Sequence, residues 1–298
     1  MTDVYATAAP VTPAPGGRMA GLGLVEVAHR QFGPGGGRID DPFSERHFTD
    51  LTSGYGMTYR ADVAARSRGN TFAAMSAALV DGLAPAPDPF GVAVVAHATP
   101  DLDCRYAAAT YLSDLPGVLL SFAVSENGGC TPFTALRLAG AYTARHSLRR
   151  AVVLVLDQST LPYDLAPGVA PAGDAGVALV LGEGGDSMSF GHVAGARRTN
   201  LSGAVAEAIG QAIGQALPGG VGGTPVEVLA GPGVETGQVP AEFGRVTRID
   251  NGFPCSGLWS ALATRFGQPA RPGSLTVLVD ADPARGDVSA CVIFRGFR

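Results

Sequence analysis

The chain contains no lysine: all 21 basic side chains are arginine, set against 26 aspartates and glutamates for a formal net charge of −5. Proteins that hold nucleic acid through its phosphates carry a basic stripe or patch. Here the adjacent basic pairs are Arg149-Arg150 and Arg197-Arg198, so a nucleic-acid partner is not expected. Cysteine is scarce as well. The four cysteines, at 104, 130, 255 and 291, are too scattered for a disulfide framework or a zinc-ligand spacing. This composition predicts a reducing, cytoplasmic setting and no metal. No apolar run reaches the ~18 residues of a membrane span, so no membrane partner is expected. Residues 1–17 lack the charged start and apolar core of a secretory signal; residues 1–18 are read as a flexible tail.

What is present is apolar and glycine-rich. Of 298 residues 46% are hydrophobic, 16% are charged and 42 are glycine, a balance that suits a compact protein with many buried strands. Residues 91–96, 151–156 and 175–181 are uninterrupted apolar runs, as in strands covered on both faces. Further strands are expected at 19–28, 118–124, 225–230, 245–249, 275–279 and 288–294. Helices are expected at 70–83, 104–112, 130–146, 201–217 and 256–266, and residues 30–69 are read as surface loops.

The stretch from Ser121 to Phe133 organises the rest. It reads as a buried strand, a glycine turn, and Cys130 at the mouth of a helix with Pro132 in the first turn, where its missing N–H is harmless. A thiol there adjoins free backbone N–H groups and the positive helix end, which lowers its pKa and leaves donors for an oxyanion. Cys130 is therefore a candidate acyl-carrying nucleophile; the alternative is a small buried residue packing a tight turn.

The second half repeats the order of the first. Asn127-Gly-Gly-Cys130 is paralleled by Asn251-Gly-Phe-Pro-Cys255. Cys130 precedes Asp157 by 27 positions, and Cys255 precedes Asp280 by 25. Two copies of one strand–helix–strand–strand unit imply a duplicated α/β fold, with helices between two mixed sheets. The halves are placed at 19–185, carrying Cys130, and 186–298, carrying Asn251.

This pattern resembles the thiolase superfamily, and within it the β-ketoacyl-acyl-carrier-protein synthase III branch, over most of residues 19–298. Gly21-Leu-Gly23 is similar to that branch's opening strand, and Val94 to Asp101 to its strand ending in a Thr-Pro-Asp turn. Cys130 with Phe133 and Leu136 resembles the nucleophile helix, Gly173-Asp-Ala-Gly176 a glycine-rich turn, and Asn251 the last active-site turn. The resemblance implies a five-layer α-β-α-β-α fold and a dimer joined along residues 118–124, either a homodimer or a heterodimer with a related synthase. It implies that Cys130 takes an acyl group from a phosphopantetheine thioester, on acyl carrier protein or coenzyme A, with no tightly bound cofactor. Asn251 is implied as a hydrogen-bond donor.

The chain departs from that branch where a catalytic histidine belongs. The loop reads Leu229-Ala-Gly-Pro-Gly-Val-Glu235, and the nearest histidine is more than thirty residues away. Losing such a donor raises a barrier by ~3–4 kcal/mol, so decarboxylative condensation is expected to be weak or absent. His97 and Glu126 are the candidate substitutes, as base or donor; the alternatives are a histidine satisfying backbone at a strand end and a glutamate at a subunit contact or in solvent. Asp101 and Asp103 are read as caps of the following helix, Asp174 as holding a turn, Cys255 as packing or, alternatively, a second thiol in the site, and His29, His47, His146 and His192 as surface or loop residues. Two functions remain open: acyl transfer through Cys130, or a non-catalytic subunit that pairs with an active synthase.

Overall fold

The structure, a computed structural model, describes residues 17–19, 21–54, 56–114, 118–125, 128–165, 170–268 and 272–295. Its strands are β1 (Gly17–Arg18), β2 (Gly23–Phe32), β3 (Val92–His97), β4 (Leu120–Val124), β5 (Arg150–Asp157), β6 (Asp174–Gly182), β7 (Ser187–Val193), β8 (Val226–Ala230), β9 (Arg245–Arg248), β10 (Ser274–Asp282) and β11 (Asp287–Arg295). The helices are α1 (Pro42–Ser53), α2 (Ala61–Arg66), α3 (Phe72–Val80), α4 (Ala108–Ser113), α5 (Thr131–His146), α6 (Leu201–Ala216) and α7 (Gly257–Phe266). Among the described residues no helix is long and apolar enough to cross a membrane.

The duplication is explicit in the sheets. One runs β2-β6-β5-β3-β4, and the other β7-β11-β10-β8-β9 with β1 added beside β7. In each, the first three strands pair antiparallel and the last three parallel. Both sheets are therefore mixed, and they match strand for strand.

Strand alternation sorts the side chains into layers. From β3, Val92, Val94 and Ala96 join a central core with Phe133 and Leu136 of α5 and Trp259 and Leu262 of α7. Leu229, Leu278, Cys291 and Ile293 of the second sheet close that core from the other side. The alternate residues Ala93 and Val95 face an outer layer with Phe72 and Leu79 of α3 and Leu112 of α4. On the far side, Val277, Val279, Ala290 and Val292 pack against α6. The five layers are thus α, β, α, β, α, as the resemblance implies. Phe133 meets Trp259 edge-on with ring centroids 5.1 Å apart, so the two central helices grip one another; each large buried side chain contributes about 1.5–3 kcal/mol.

Several elements differ from the sequence-based expectation. Residues 30–69 are not all loop, because Asp41 caps α1 through the N–H groups of Phe43 and Ser44, and Pro42 stands in the first turn. Phe48, Ala64, Ile39 and Tyr163 form a small core beneath that cover. The strand β7 was not foreseen, since Ser187-Met-Ser-Phe-Gly-His-Val193 alternates weakly. Residues 17 and 18, assigned to the tail, pair with Phe190 and Ser189. The strand expected at 19–28 is β2, which begins at Gly23, after Gly21 turns the chain at φ +87°.

Candidate active site

Cys130 ends a short 3₁₀ turn, Gly128–Cys130, and leads directly into α5. Gly128 takes φ +50° to make that turn, a conformation open to glycine. The sulfur is buried, with 1% of the residue exposed. It lies 3.5 Å from the carbonyl oxygen of Asp280 and 3.6 Å from that of Asp287, to which its S–H donates. Both carbonyls belong to the β10–β11 hairpin, so the helix head of the first half docks on the sheet of the second.

That hairpin presents a row of polar side chains to the sulfur. Asp280 is the register partner of Ser289, and Ser289 that of His192. Leu278 on β10, Cys291 on β11 and Phe190 on β7 face the central core. By period-two alternation, Asp280, Ser289 and His192 share that face. The Ser289 hydroxyl lies on the face turned toward the Cys130 turn, and His192 Nδ1 lies 3.1 Å from Ser289 Oγ.

Electrostatics here oppose ionisation of the thiol. Burial pushes the Cys130 thiol well up, and the neighbouring Asp280, Asp287 and Asp282 add to the shift, while the Ser289 hydroxyl opposes it. A helix end favours an anion by roughly 0.3–2 kcal/mol; desolvating a charge costs several kcal/mol. The sequence-based expectation of a lowered thiol pKa is therefore reversed. Asp280, also fully buried, is pushed up to about 7 by burial, against the pull of the Ala281 and Gly233 N–H groups that it accepts at 2.8 and 2.9 Å.

The glycine loop after β8 owes its composition to this carboxylate. A Cβ on Gly231 would lie 2.3 Å from Asp280 Cγ, and one on Gly129 would lie 2.3 Å from Oδ2. Gly233 is pressed against the Ala281 carbonyl in the same way. Asp280 thus occupies the space between the Cys130 turn and the loop of residues 229–235. Among the described residues, no three His, Cys, Asp or Glu side chains converge as metal ligands do.

Comparison with solved structures supplies the fold's kinship. The chain superposes on a tetronic acid condensing enzyme with a TM-score of 0.62 at 16% identity, covering 92% of this chain and 99% of that one. It superposes on an OleA variant from Xanthomonas campestris at 0.60 and 13%, covering 93% and 99%. A 3-oxoacyl-(acyl-carrier protein) synthase from Burkholderia xenovorans LB400 gives 0.58 and 15%, covering 94% and 96%. The fold is thiolase-like, of the ketosynthase III type. No protein-family model matches the chain, and no curated protein matches it.

Within this thiolase-like frame the candidate residues separate. Asn251 is an exposed residue that turns its amide onto the Gly257 carbonyl at 3.4 Å, over the head of α7. The polar groups described at the sulfur come instead from β10 and β11. His97 follows Ala93 and Val95 on the outer face of β3, packs at a tilt against Phe72 with ring centroids 5.0 Å apart and bonds the Thr99 carbonyl at 2.8 Å. It does not stand beside Cys130, because alternation turns it into the layer on the other side of the sheet; burial lowers its pKa. Glu126 lies outside the described residues. Cys255 is buried under Asp157, which accepts its N–H at 3.1 Å together with the N–H and hydroxyl of Ser256. Asp101 does not cap the helix after it; its Oδ1 accepts the Phe72 N–H at the start of α3. Asp174 joins Asn70 to Ser159 through four hydrogen bonds.

Sequence reasoning missed Ser289, His192 and the side-chain role of Asp280. The signal was faint but present: aligning the two half-chain repeats strand by strand puts residue 280 opposite residue 157, and 289 beside it.

Proposed function

We propose that this chain is a ketosynthase III-like protein of fatty-acid, polyketide or related specialised biosynthesis, working in the cytoplasm. Cys130 takes an acyl group from a phosphopantetheine thioester, carried by acyl carrier protein or coenzyme A, and passes it on. The observation that carries this reading is the placement of a thiol at the head of the central helix α5 of one half, seated against the β10–β11 hairpin of the other. The folds it shares belong, by their own descriptions, to a tetronic acid condensing enzyme and a 3-oxoacyl synthase, which supports acyl-thioester chemistry. Backbone N–H groups at the helix head serve as oxyanion donors. The loop of residues 229–235 brings no imidazole, so decarboxylative condensation is weak or absent. No tightly bound cofactor is part of this reading. Intact-mass spectrometry after mixing the protein with acyl-coenzyme A or acyl carrier protein tests it: an acyl adduct on Cys130 that disappears in Cys130→Ala is expected, and no adduct with any thioester removes it.

A second reading has its own support. The sulfur is 1% exposed, its proton is held tightly, and the Asp280 carboxylate fills the space beside it. These features suit a non-catalytic subunit paired with an active synthase. The edge strand β4 suits a partner, homologous or identical: it pairs on one side with β3, and Leu119 beside it is 70% exposed and Leu120 is 39% exposed. Full activity of the assembled pair when Cys130→Ala replaces the wild type supports this role over the first.

A further inference from the structure

We propose that Asp280 is a pH-sensitive clasp: as a neutral acid it ties the loop of residues 229–235 to the turn that carries Cys130, and its ionisation loosens both. The clasp concerns access to Cys130, so it holds whether that residue carries an acyl group or sits in a companion subunit.

The geometry is that of a carboxyl group built into a closed seam. Asp280 is 1% exposed. Among the described residues its carboxyl has no ion-pair partner, and Arg248, which bears on it, is held by Glu235 and Asp250 at 3.2 and 3.3 Å. A Cβ on Gly129 would strike Oδ2, one on Gly231 would strike Cγ, and one on Gly233 would come within 2.9 Å of Oδ1. The two oxygens are treated unequally. Oδ1 accepts the Gly233 and Ala281 N–H groups at 2.9 and 2.8 Å, whereas Oδ2 takes no hydrogen bond from the described residues. An acceptor stands on that side instead: the Pro254 carbonyl oxygen is 3.4 Å from the point beside Gly129 that Oδ2 crowds. A proton on Oδ2 suits such a place. A negative charge there faces a carbonyl oxygen with no donor to offset it.

The cover over this seam is thin. Gly128, Gly129, Pro232, Gly233 and Pro254 are only half-buried, so a small displacement of either segment brings water to the carboxylate. The ionised acid then gains the hydration that the closed form denies it. Cys130 follows Gly129 directly and rests its sulfur on the Asp280 and Asp287 carbonyls, so the same displacement loosens its seat.

The titratable and charged groups around the carboxyl are Cys130 at the head of α5, Cys255 at the head of α7, Asp282 on the same strand and Arg248 on β9; Asp287 of β11 stands on the side of the sulfur. Burial pushes Asp280 up to about 7, with Asp282 adding to the shift and the Ala281 and Gly233 N–H groups and Arg248 opposing it. Once open to water, the acid returns to about 3.9. Opening is therefore hardest below about pH 4, becomes easier by about tenfold per pH unit between the two values, and levels off above about pH 7.

Hydrogen–deuterium exchange of wild type and Asp280→Asn, read by mass spectrometry from pH 5 to 8 and corrected for intrinsic rates, tests the clasp. The amide side chain keeps the shape and the Oδ1 acceptor and has no proton to lose. Thermal melting establishes that the variant is folded at each pH. In the wild type, opening at residues 128–131 and 229–235 is expected to rise by about tenfold per unit from pH 5 to 6.5 and to flatten past pH 7. In Asp280→Asn it should stay level. Both segments should exchange well before β5, whose residues lie deep in the first sheet. A flat wild-type profile overturns the clasp by itself, even if the variant does not fold. The wild-type slope persisting in Asp280→Asn also overturns it. So does exchange of the two segments no faster than β5, because they then open only with the whole fold.

Discussion

Asp157 and Asp280 hold the same place in the two copies of the fold, and each reaches the head of the central helix belonging to the other half. Asp157 meets Cys255 and Ser256 at the start of α7. Asp280 meets Gly129 and Cys130 at the start of α5. The two have diverged in their bonding. Asp157 is a helix cap, whereas Asp280 is turned toward Gly233 and Ala281 and leaves the helix head to a thiol.

Asp157→Ala should destabilise the protein strongly. It leaves the buried N–H groups of Cys255 and Ser256 without their acceptor, at about 1–3 kcal/mol for each orphaned group. Urea unfolding is expected to show a loss of roughly 3 kcal/mol or more; a loss within the range of a surface substitution contradicts the capping role.

Asp280 should make stability fall with rising pH. Burial lifts its pKa to about 7 in the folded chain, against about 3.9 when unfolded. Its contribution is complete below the unfolded value, declines as the unfolded chain releases the proton first, and is lost once pH passes the folded value. Asp280→Asn has no such proton. Between pH 5 and 6.5, the wild-type unfolding free energy should fall relative to this variant by about 1.4 kcal/mol per pH unit. Parallel profiles refute the shift.

The glycine at 231 should be coupled to the aspartate. Gly231→Ala forces a methyl group to within 2.3 Å of Asp280 Cγ, and overpacking of this kind costs about 1–3 kcal/mol. Combining it with Asp280→Ala removes the obstacle. Additive losses in the double-variant cycle, measured by denaturant unfolding, contradict the contact.

His97→Gln should leave chemistry at Cys130 unchanged. The ring faces α3 and serves the Thr99 carbonyl, so its loss is expected to lower stability by about 0.5–1.5 kcal/mol. A lower melting temperature with an unaltered adduct rate is the expected pair of results; a slowed adduct at unaltered stability reverses the assignment.

Leu120→Arg tests β4 as an edge that a second thiolase-like chain covers. Light scattering should show the wild type as a dimer, alone or with its partner, and the variant as a monomer. An unchanged mass places any interface elsewhere.

The fold was largely legible in the chain because its carriers are local. The apolar runs at 91–96, 151–156 and 175–181 have the composition of strands buried on both faces, and Pro132 behind Cys130 marks a helix start. Their recurrence across the second half announced a duplication. The small core of Phe48, Ala64 and Tyr163 stayed hidden because its residues are spread through a polar stretch, and β7 because serines and a glycine blur its alternation.

The site divides along the same physical line. Sequence order alone singled out Cys130 at a helix head and showed that the loop of residues 229–235 carries no imidazole, since both are facts about neighbours along the chain. Which groups touch the sulfur was decided by register between strands far apart in sequence, which set Asp280, Ser289 and His192 in one row and turned His97 to the opposite face. Desolvation, too, is a property of the folded interior: the helix end by itself favours a thiolate, and only the packing of β10 and β11 over it reverses that preference.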